Sequence, residues 1–488
     1  MSYTKKVAFN TLAQVIGKIV GTAIAIVTTA LLFRYFGVDG IGEYTTIFAF
    51  VGFFSVFADL GFQWTLLREL SVKEDHEKVF KNIFAFRLLL AVLIHALAFG
   101  LVWFFHYPLQ VKLGVGIITI AWFFTTINST LVAVYLNNYR LDITVSAEVV
   151  GRGVILGFVY LMIKAALPLN VVLLSYVFGN IVNFLINLSF FGRFLKFGLA
   201  YDFKYWKYIF GQALPIGIVL IFGFIYYKMD SLMLSWMKPM TDVGIYGTAY
   251  KLLEVLQTVP SMFLGAAFPL VTRYVMQNDE RMKSAFQKQF DFLALMAVPI
   301  VVGTFILAGP IIEFIAGTRS SEFVNSSTVT VFSHPATSVT CLKILSFSIG
   351  ISFFSNLYSY LIVSLGRQKS FVLPVIGFAL LNVVLNLLFI PRLSYVGSSI
   401  ATLTTEVIIL VVSYFIAMRF VKLPLKALNA LKILAVGLIM GLAIYYFDFI
   451  GVNLFVNIAL AVLIYICGVI LFKAVPMDIL KQILNSKS

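Results

Sequence analysis

The chain has 488 residues and a net charge of +15; 61% of its residues are hydrophobic, 12% are charged, and its mean hydropathy is +0.99. Soluble domains carry about a quarter charged residues, so this composition excludes a soluble globular protein. The positive charge does not indicate nucleic acid as a partner, because membrane topology and anionic lipid account for most of it and the chain has no basic, aromatic-interleaved soluble patch.

Apolar stretches recur along the chain, and about fourteen of them reach the roughly 20 residues that a helix needs to cross a bilayer. Backbone polar groups in lipid must be satisfied within the segment, so helices are expected, and the weaker alternation of a β-barrel is absent. We predict an all-α polytopic membrane protein with helices at residues 11–33, 43–64, 83–105, 113–136, 144–167, 170–192, 209–236, 243–272, 287–309, 341–364, 370–390, 397–418, 430–447 and 453–472. The longest stretch without a predicted helix is 310–340, and no connection is long enough for a separate soluble domain.

The positions of Lys and Arg indicate which side of the membrane each connection faces. If the N-terminus with Lys5 and Lys6 is cytoplasmic, most of the 36 Lys and Arg residues lie in cytoplasmic connections or in the C-terminal tail. The outer connections then hold only Arg34, Lys112, Lys164, Lys238, Arg319 and Arg392. This bias predicts that both termini are cytoplasmic and that the number of spans is even. The first apolar stretch lacks a cleavage pattern, so we expect it to remain as the first span.

The cysteines and histidines do not indicate a metal site or a disulfide framework. Cys341 and Cys467 lie far apart in apolar surroundings, and the four histidines do not cluster. His95, in the third span, could carry protons, but a packed neutral histidine is the preferred interpretation. We expect no cofactor, with H⁺ or Na⁺ as candidate coupling ions.

An internal repeat organises the chain, and internal symmetry is typical of transporter folds. Asp39-Gly40-Ile41-Gly42-Glu43-Tyr44, between spans one and two, recurs as Asp242-Val243-Gly244-Ile245-Tyr246 between spans seven and eight. The same offset places Asn10 opposite Gln212. We therefore predict an N-lobe at 1–207 with helices one to six, a C-lobe at 208–425 with helices seven to twelve, and two C-terminal helices with a tail at 426–488.

Several short motifs also occur in an order that resembles a known family. They are Phe33-Arg34-Tyr35-Phe36-Gly37, Gly42-Glu43-Tyr44, Asp59-Leu60-Gly61, Lys228-Met229-Asp230, Val243-Gly244-Ile245-Tyr246, Pro269, Gly366-Arg367-Gln368-Lys369, Asn382 to Asn386 with Ile390-Pro391, and Gly397 to Glu406. Together they resemble polysaccharide-type transporters, the lipid-linked oligosaccharide flippases called Wzx, over most of the chain to about residue 420.

That resemblance implies the fold of the MOP superfamily, in which two six-helix lobes face each other in a V around a central cavity. Some branches carry extra C-terminal helices. The resemblance also implies a location in the cytoplasmic (inner) membrane. Multidrug exporters of the MATE type and lipid II flippases of the MurJ type share this architecture, so the fold does not identify the substrate.

Polar residues inside lipid are expected to face a cavity, because a charge at the helix centre costs roughly 2.5 to 3.5 kcal/mol on insertion scales. In the first span, Asn10, Gln14 and Lys18 are four residues apart and form one stripe, while Gly17 and Gly21 thin a neighbouring strip. We predict that the stripe binds substrate. The alternative is that Asn10 and Gln14 bond a neighbouring helix and Lys18 extends to the cytoplasmic surface.

The other charged residues of the N-lobe spans are Asp59, Arg87, Glu148 and Arg152. Glu148 precedes Arg152 by four residues, an orientation that favours an ion pair within the helix. Two interpretations are equally compatible with this spacing: an ion pair that only neutralises two buried charges, and a substrate site. We assign Arg87 and Arg152 to substrate binding, and Asp59 and Glu148 to ion coupling or gating.

Asparagines form a second group of candidates. Asn180, Asn183 and Asn187 line one face of span six and could meet sugar hydroxyls, with interhelical hydrogen bonds as the alternative. For Asn382 and Asn386 in span eleven, interhelical bonding is the preferred interpretation.

In the C-lobe, Lys228 and Asp230 of span seven are separated by a short connection from Lys251 and Glu254 of span eight. A fixed Asp230 to Lys251 bridge and a gating or ion-coupling role remain open for this group. Glu406, midway along span twelve, has no obvious partner within its own helix. It is therefore the stronger candidate for protonation.

These observations predict a flippase, and not an enzyme, that moves an isoprenoid-pyrophosphate-linked oligosaccharide from the cytoplasmic to the outer leaflet by alternating access. Lys18, Arg87 and Arg152 would neutralise the di-anionic linker while the lipid tail stays in the bilayer. The expected partners are this polyprenyl pyrophosphate glycan and membrane lipids, with a glycan polymerase or glycosyltransferases as further candidates.

Three alternatives remain. A cation-coupled MATE-like multidrug exporter should present an acidic, aromatic-lined cavity, and the surplus of intramembrane Lys and Arg argues against it. A membrane-embedded glycosyltransferase or polymerase would need a large outer domain or an acidic metal-binding cluster, and the short loops argue against it. A purely structural scaffold would leave the charged transmembrane residues without a pathway to serve.

Overall fold

The computed structural model of the chain describes residues 3–277, 279–331, 333–421, 423 and 428–474, with the side chains of residue 14 and of residues from 16 onward. Its α-helices are α1 (Tyr3–Asp59), α2 (Phe62–Val72), α3 (His76–Leu101), α4 (Leu109–Asn137), α5 (Leu141–Lys164), α6 (Leu169–Phe191), α7 (Phe203–Met237), α8 (Met240–Leu256), α9 (Thr258–Met276), α10 (Arg281–Ile306), α11 (Ala308–Ala316), α12 (Ser320–Val324), α13 (Ser338–Ser364), α14 (Lys369–Phe420), α15 (Leu428–Phe449) and α16 (Leu454–Leu471). Short 3-10 helices lie at Val102–Phe104 and Gly317–Arg319.

The all-α membrane fold is confirmed. Within the described residues, twelve helical stretches are long and apolar enough to cross a membrane. Two of them, Ile16–Val72 with 57 residues and Lys369–Phe420 with 52, are far longer than a bilayer core of about 30 Å requires at about 1.5 Å per residue. Each contains a non-helical residue, Gly37 at φ 66° and Ser394 at φ 46°. Since each of these two stretches has the length for two crossings, the number of spans is close to the predicted fourteen.

Two details of the predicted helices are corrected. The stretch 310–340 is not free of secondary structure, because it contains most of α11, all of α12 and a short antiparallel hairpin of β1 (Thr330–Val331) and β2 (His334–Pro335). The span predicted at 243–272 is divided into α8 and α9 at Gln257.

The chain forms two compact units, Met1–Gly244 and Ile245–Ser488. In the first unit, α1 packs on α3, α4, α5 and α7, and α4 and α5 both pack on α6. In the second unit, α13 packs on α14 and α10, and α15 packs on α10 and α16. The boundary between the units falls within α8, after Gly244, whereas the sequence places the lobe boundary at residue 207. The division into an N-lobe, a C-lobe and a C-terminal pair stays a prediction.

Apolar side chains fill the contacts between helices within each unit. The first unit contains a core of buried aromatic and aliphatic residues that includes Phe62, Phe80 and Phe191. In the second unit, Ile433, Val436 and Met440 of α15 belong to a smaller core shared with α10 and α16. These cores hold the helices that carry the polar groups described next.

Candidate functional site

The first compact unit contains a polar cavity of about 360 Å³ between α4, α5 and α6, here called the α4–α6 cavity. Amide and hydroxyl groups, one acidic and one basic side chain and one aromatic ring contribute to its lining, which consists of Thr125, Asn128, Ser129, Val132, Thr144, Glu148, Gly151, Arg152, Ile155, Tyr176, Gly179, Asn180 and Asn183. Four of the candidates predicted from the sequence therefore lie together: Glu148, Arg152, Asn180 and Asn183.

Two glycines bring α5 and α6 close together beside the cavity. A Cβ atom on Gly151 would lie 2.8 Å from the carbonyl oxygen of Gly179, and a Cβ on Gly179 would lie 2.6 Å from the carbonyl oxygen of Gly151. Both obstacles are backbone atoms, so neither can move aside as a side chain would. Small residues thus set the crossing of the two helices, as is common in membranes.

The ion pair expected from the spacing of Glu148 and Arg152 is present on α5. A guanidinium nitrogen of Arg152 lies 2.5 Å from a carboxylate oxygen of Glu148. A second guanidinium nitrogen donates to the backbone oxygen of Gly21 on α1, at 2.8 Å. A side chain at position 21 would crowd this contact, because a Cβ there would lie 3.3 Å from the donating nitrogen of Arg152. Glycine at this position leaves the approach open. The charge of Arg152 is therefore already compensated at the cavity wall.

A network of three asparagines joins α4 to α6. The side-chain nitrogen of Asn187 donates to the side-chain oxygens of Asn128 and Asn183, each at 3.0 Å. Asn187 is fully buried and lies outside the cavity lining, whereas Asn128 and Asn183 line it. The hydroxyl of Tyr135 on α4 also holds Asn187 by donating to its backbone oxygen, at 2.5 Å.

Arg87 and Asp59, assigned to different roles by the sequence, form an ion pair with each other. The side chain of Arg87 is 1% exposed and also donates to the hydroxyl of Thr130, at 3.2 Å. Asp59 lies at the last position of α1, just before the left-handed residues Leu60 and Gly61. Arg87 is thus enclosed among α1, α3 and α4 and is not part of the cavity lining.

The polar stripe of the first span is only partly described. Gln14 and Lys18 are exposed on α1, whereas the side chain of Asn10 lies outside the described residues. The neighbouring strip of small residues faces α5, because a Cβ on Gly17 would overlap Val145. Lys18 lies three residues before Gly21, the residue that bonds Arg152, and positions three apart share a helix face.

His95 has polar neighbours that the sequence does not reveal. One ring nitrogen lies 2.7 Å from the backbone oxygen of Ala91, and the other lies 3.2 Å from the hydroxyl of Ser55 on α1. The ring is buried, with 3% of the residue exposed. These contacts are compatible with a packed, neutral histidine, which is the interpretation preferred from the sequence.

In the second compact unit, Glu406 is buried within α14, with 2% of the residue exposed. Its carboxylate accepts hydrogen bonds from the amide of Gln257 at 3.4 Å and from the hydroxyl of Ser355 at 3.2 Å. Gln257 is the residue at which α8 gives way to α9. A buried acid therefore contacts a helix break.

The remaining charged candidates fall into both units. Asp230 is buried in α7 and accepts the backbone N–H of Ser231 at 2.7 Å. Lys228 is partly buried on the same helix. In the second unit, Lys251 and Glu254 form the ion pair expected from their spacing, at 3.1 Å. The bridge from Asp230 to Lys251 stays a prediction.

The side chains of Asn382 and Asn386 form hydrogen bonds with each other and with the part of α14 that follows the non-helical residue Ser394. Asn386 donates to the side-chain oxygen of Asn382 at 3.0 Å, and Asn382 donates to Thr405 at 3.5 Å. Both are fully buried, which agrees with the structural interpretation of this pair.

A further polar cluster at the junction of α2 and α7 is not predicted from the sequence. Glu69 is buried and bonds Lys73 at 2.8 Å and the hydroxyls of Tyr205 and Tyr208, each at 3.2 Å. Burial lowers the pKa of Lys73, but its hydrogen bonds with Glu69 and Tyr205 outweigh this effect and raise the pKa above its ordinary value.

Two residues of the α4–α6 cavity wall, Asn128 and Tyr176, are also not predicted from the sequence. The only signal for Asn128 is an amide inside an apolar span, and Tyr176 carries none beyond its spacing from Asn180 and Asn183.

Long apolar helices in two units, with charged and amide side chains buried inside them, define an integral membrane protein. The family model described as polysaccharide biosynthesis protein matches residues 3–275, more than half of the chain, and the chain belongs to that family. This confirms the resemblance identified from the motifs.

Two curated relatives are similar over most of their length. A protein named "Putative O-antigen transporter" from Shigella flexneri is 21% identical over 62% of this chain and 75% of its own. A protein from Haloferax volcanii, named "Probable low-salt glycan biosynthesis flippase Agl15", is 21% identical over 72% of each chain.

Two solved structures share the fold. The inward closed conformation of the lipid II flippase MurJ has a TM-score of 0.76 at 15% identity and covers 96% of this chain and 99% of its own. An inward-facing MATE family transporter of the MOP superfamily has a TM-score of 0.63 at 11% identity and covers 82% and 95%. The protein therefore has the fold of the MOP superfamily, as expected, and belongs to a family of polysaccharide biosynthesis proteins.

Proposed function

We propose that this protein is a flippase that moves an isoprenoid-diphosphate-linked oligosaccharide from the cytoplasmic to the outer leaflet by alternating access. The observation that carries the proposal is the α4–α6 cavity, a pocket of amides and hydroxyls inside a membrane-spanning unit. Polar groups are costly within the membrane and mark substrate pathways. A glycan head group is a solute that such a pocket suits and that hydrocarbon excludes.

The anionic linker needs cations, and the three predicted ones differ in their availability. Lys18 is exposed and lies on the α1 face next to the contact with Arg152. Arg152 is paired with Glu148, and Arg87 is enclosed with Asp59. We infer that Lys18 makes the first contact with the diphosphate. Arg152 and Arg87 join it only if their acidic partners are released during the transport cycle.

Ion coupling is assigned to Glu406, with H⁺ or Na⁺ as the ion. The carboxylate is buried within α14, a helix long and apolar enough to cross a membrane, and contacts Gln257, where α8 gives way to α9. Neutralising a buried carboxylate by a proton or a cation changes its hydrogen bonds, so the ion and the helix break would be linked. Asp59, Glu148, Lys228, Asp230, Lys251 and Glu254 remain secondary candidates for coupling or gating.

We place the protein in the cytoplasmic membrane with both termini in the cytoplasm. The enzymes that build the glycan and a glycan polymerase would then supply the substrate and consume the product on opposite sides. A multidrug exporter is less well supported, because the α4–α6 cavity is lined by Arg152 and contains one aromatic residue, Tyr176.

The test is reconstitution of the full-length protein into proteoliposomes that contain a fluorescent polyprenyl-diphosphate glycan. Flipping is followed as the fraction of head groups that an added membrane-impermeant quencher can reach. In vesicles with wild-type protein, lipid from both leaflets is expected to become accessible to the quencher much faster than in empty vesicles. A rate equal to that of empty vesicles, with folded protein present, would contradict the proposed function.

A further inference from the structure

The α4–α6 cavity has a defined hydrogen-bonding pattern, because Asn187 fixes the orientation of two of its amides. The side-chain oxygens of Asn128 and Asn183 both accept from the nitrogen of Asn187, each at 3.0 Å. Each oxygen is therefore turned toward Asn187, and the NH₂ group of each amide is turned away from it. Asn128 and Asn183 both line the cavity, and their NH₂ groups are the part of each amide left to donate to a ligand bound there.

The hydroxyl groups of the lining supply the opposite polarity. Three hydroxyls of the lining each donate their proton to a backbone oxygen of their own helix. Thr125 donates to Ala121 at 3.2 Å, Ser129 donates to Thr126 at 2.8 Å, and Thr144 donates to Leu141 at 3.0 Å. Their oxygens keep lone pairs that can accept hydrogen bonds. The cavity thus offers both amide donors and hydroxyl acceptors. Sugar hydroxyls, which both donate and accept, complement this arrangement.

The charge of the lining argues against the diphosphate as the occupant. Glu148 and Arg152 are the charged members of the lining, and they are paired with each other at 2.5 Å. A dianion placed here would have to separate that pair, because Arg152 is the one cation in the lining. An uncharged ligand leaves the pair intact.

The size and the aromatic wall also suit a single sugar residue. The volume of about 360 Å³ is at the lower end of ligand pockets, which are about 300–1,000 Å³. The ring of Tyr176 is held in place, because its hydroxyl lies 3.0 Å from that of Tyr44 and its ring packs against Phe48 at 5.0 Å between centroids. A fixed aromatic face provides an apolar surface for the C–H groups of a sugar.

We propose that the α4–α6 cavity binds an uncharged sugar residue of the transported glycan, not the diphosphate linker, and that Asn187 is the positioning residue that orients Asn128 and Asn183 toward it. This inference rests on the proposed function for the identity of the glycan as cargo. It divides substrate recognition in the first unit into a neutral sugar site and a separate contact to the linker at Lys18.

The first experiment measures binding to full-length protein in detergent micelles by saturation-transfer difference NMR. The probes are the common neutral hexoses, their N-acetylated amines, glucuronic acid and inorganic pyrophosphate. Wild-type protein is expected to bind at least one neutral sugar more tightly than glucuronic acid or pyrophosphate. Binding of pyrophosphate in preference to every neutral sugar, or no binding of any neutral sugar, would overturn the proposal.

Asn187→Leu removes the donor that orients the two amides while keeping the size of the side chain. We expect about tenfold weaker sugar binding, because the amides are then free to turn their oxygens into the cavity. Asn386→Leu is the matched control, since Asn386 makes the same bond to an asparagine four residues earlier, at 3.0 Å, in the second unit. Equal sugar affinity in the two variants would overturn the role of Asn187.

Two further variants keep the proposal testable if Asn187→Leu folds poorly. Asn128→Ala deletes a donor at the cavity wall and should weaken sugar binding to a similar extent. Glu148→Gln leaves Arg152 uncompensated and should add measurable binding of glucuronic acid, an effect that a loss of packing would not produce. Unchanged sugar binding in Asn128→Ala, or anion binding by wild type that Glu148→Gln does not improve, would contradict the neutral sugar site.

Flipping then separates this inference from the proposed function. In proteoliposomes, Asn187→Leu should slow the flipping of a glycan-bearing polyprenyl diphosphate but not that of the same lipid without sugar. Equal effects on both lipids would overturn the sugar site while leaving the flippase function in place. If wild type moves neither lipid, the proposed function fails, and the NMR result alone decides whether the cavity binds sugar.

Discussion

Gly42 and Gly244 pack against each other's helices in a reciprocal manner. A Cβ on Gly42 would overlap the carbonyl oxygen of Met240, four residues before Gly244, and a Cβ on Gly244 would overlap that of Val38, four residues before Gly42. These are the glycines that align the internal repeat in the sequence. Each glycine therefore makes room for the backbone of the other segment.

Gly42→Ala is expected to destabilise the protein by about 1–3 kcal/mol, because the new methyl group meets a backbone carbonyl that cannot rotate away. Gly153→Ala is the control, since Gly153 also lies within a helix and a Cβ there has no heavy atom within 4 Å. The measurement is the unfolding temperature of the purified variants in detergent. Equal temperatures for the two variants would show that the backbone contact is not tight.

Asp59→Asn is expected to destabilise the protein by about 3 kcal/mol, since it leaves the guanidinium of Arg87, with 1% of its side chain exposed, without a counter-charge. Replacing both residues, as Asp59→Leu with Arg87→Met, should restore most of the loss. Arg140→Ala provides the comparison, because its pair with Asp142 is partly exposed and worth less than about 1 kcal/mol.

The same double variant also decides the role of Arg87. If the pair is only structural, the double variant should regain flipping together with stability. If Arg87 is released to bind the diphosphate, stability should recover but flipping should not. Thermal unfolding and the proteoliposome assay on one preparation distinguish the two results.

The residue pairs that were predictable from the sequence lie on one helix. The spacing of four between Glu148 and Arg152, and of three between Lys251 and Glu254, is sufficient to predict their ion pairs, because helix geometry brings such positions together. Composition and the length of apolar stretches likewise predict the membrane fold, since the bilayer imposes both.

The contacts that were missed join residues that are distant in the chain. The partner of Arg87 lies 28 residues away, and Asn187 bonds Asn128 at a separation of 59 residues. No periodicity within a helix reports on either contact, because both depend on which faces of two different helices meet. The sequence therefore places Asn187 on the same face of α6 as Asn180 and Asn183, but it does not show that Asn187 is buried while the other two line the cavity.

Lys18→Ala is expected to lower the rate of diphosphate-glycan flipping by at least about tenfold, because a charge-assisted contact to phosphate is lost. Lys18→Arg should retain most of the rate. Lys164→Ala, at the end of α5, is the control for a general loss of positive charge. Flipping by Lys18→Ala at the wild-type rate would remove Lys18 from the substrate pathway.

The orientation of the chain is tested by reporters that fold on only one side of the membrane. A reporter fused to the last residue should be active in the cytoplasm, whereas one inserted next to Lys238, between α7 and α8, should be active outside. This follows from the excess of Lys and Arg in the connections assigned to the cytoplasm. The same reporter activity at both positions would require a different number of crossings.

Glu406→Gln is expected to separate substrate binding from the driving ion. The amide keeps the shape of the carboxyl group and can still bond Ser355 and Gln257, so the variant should fold and bind substrate. Because it cannot take up a proton or hold a cation by charge, flipping should no longer respond to an imposed H⁺ or Na⁺ gradient. The measurement is the ratio of flipping rates with and without each gradient in proteoliposomes. Glu313→Gln, at an exposed position on α11, should keep the wild-type ratio. A gradient response in Glu406→Gln equal to that of wild type, or wild-type flipping that is independent of both gradients, would remove the coupling role from Glu406.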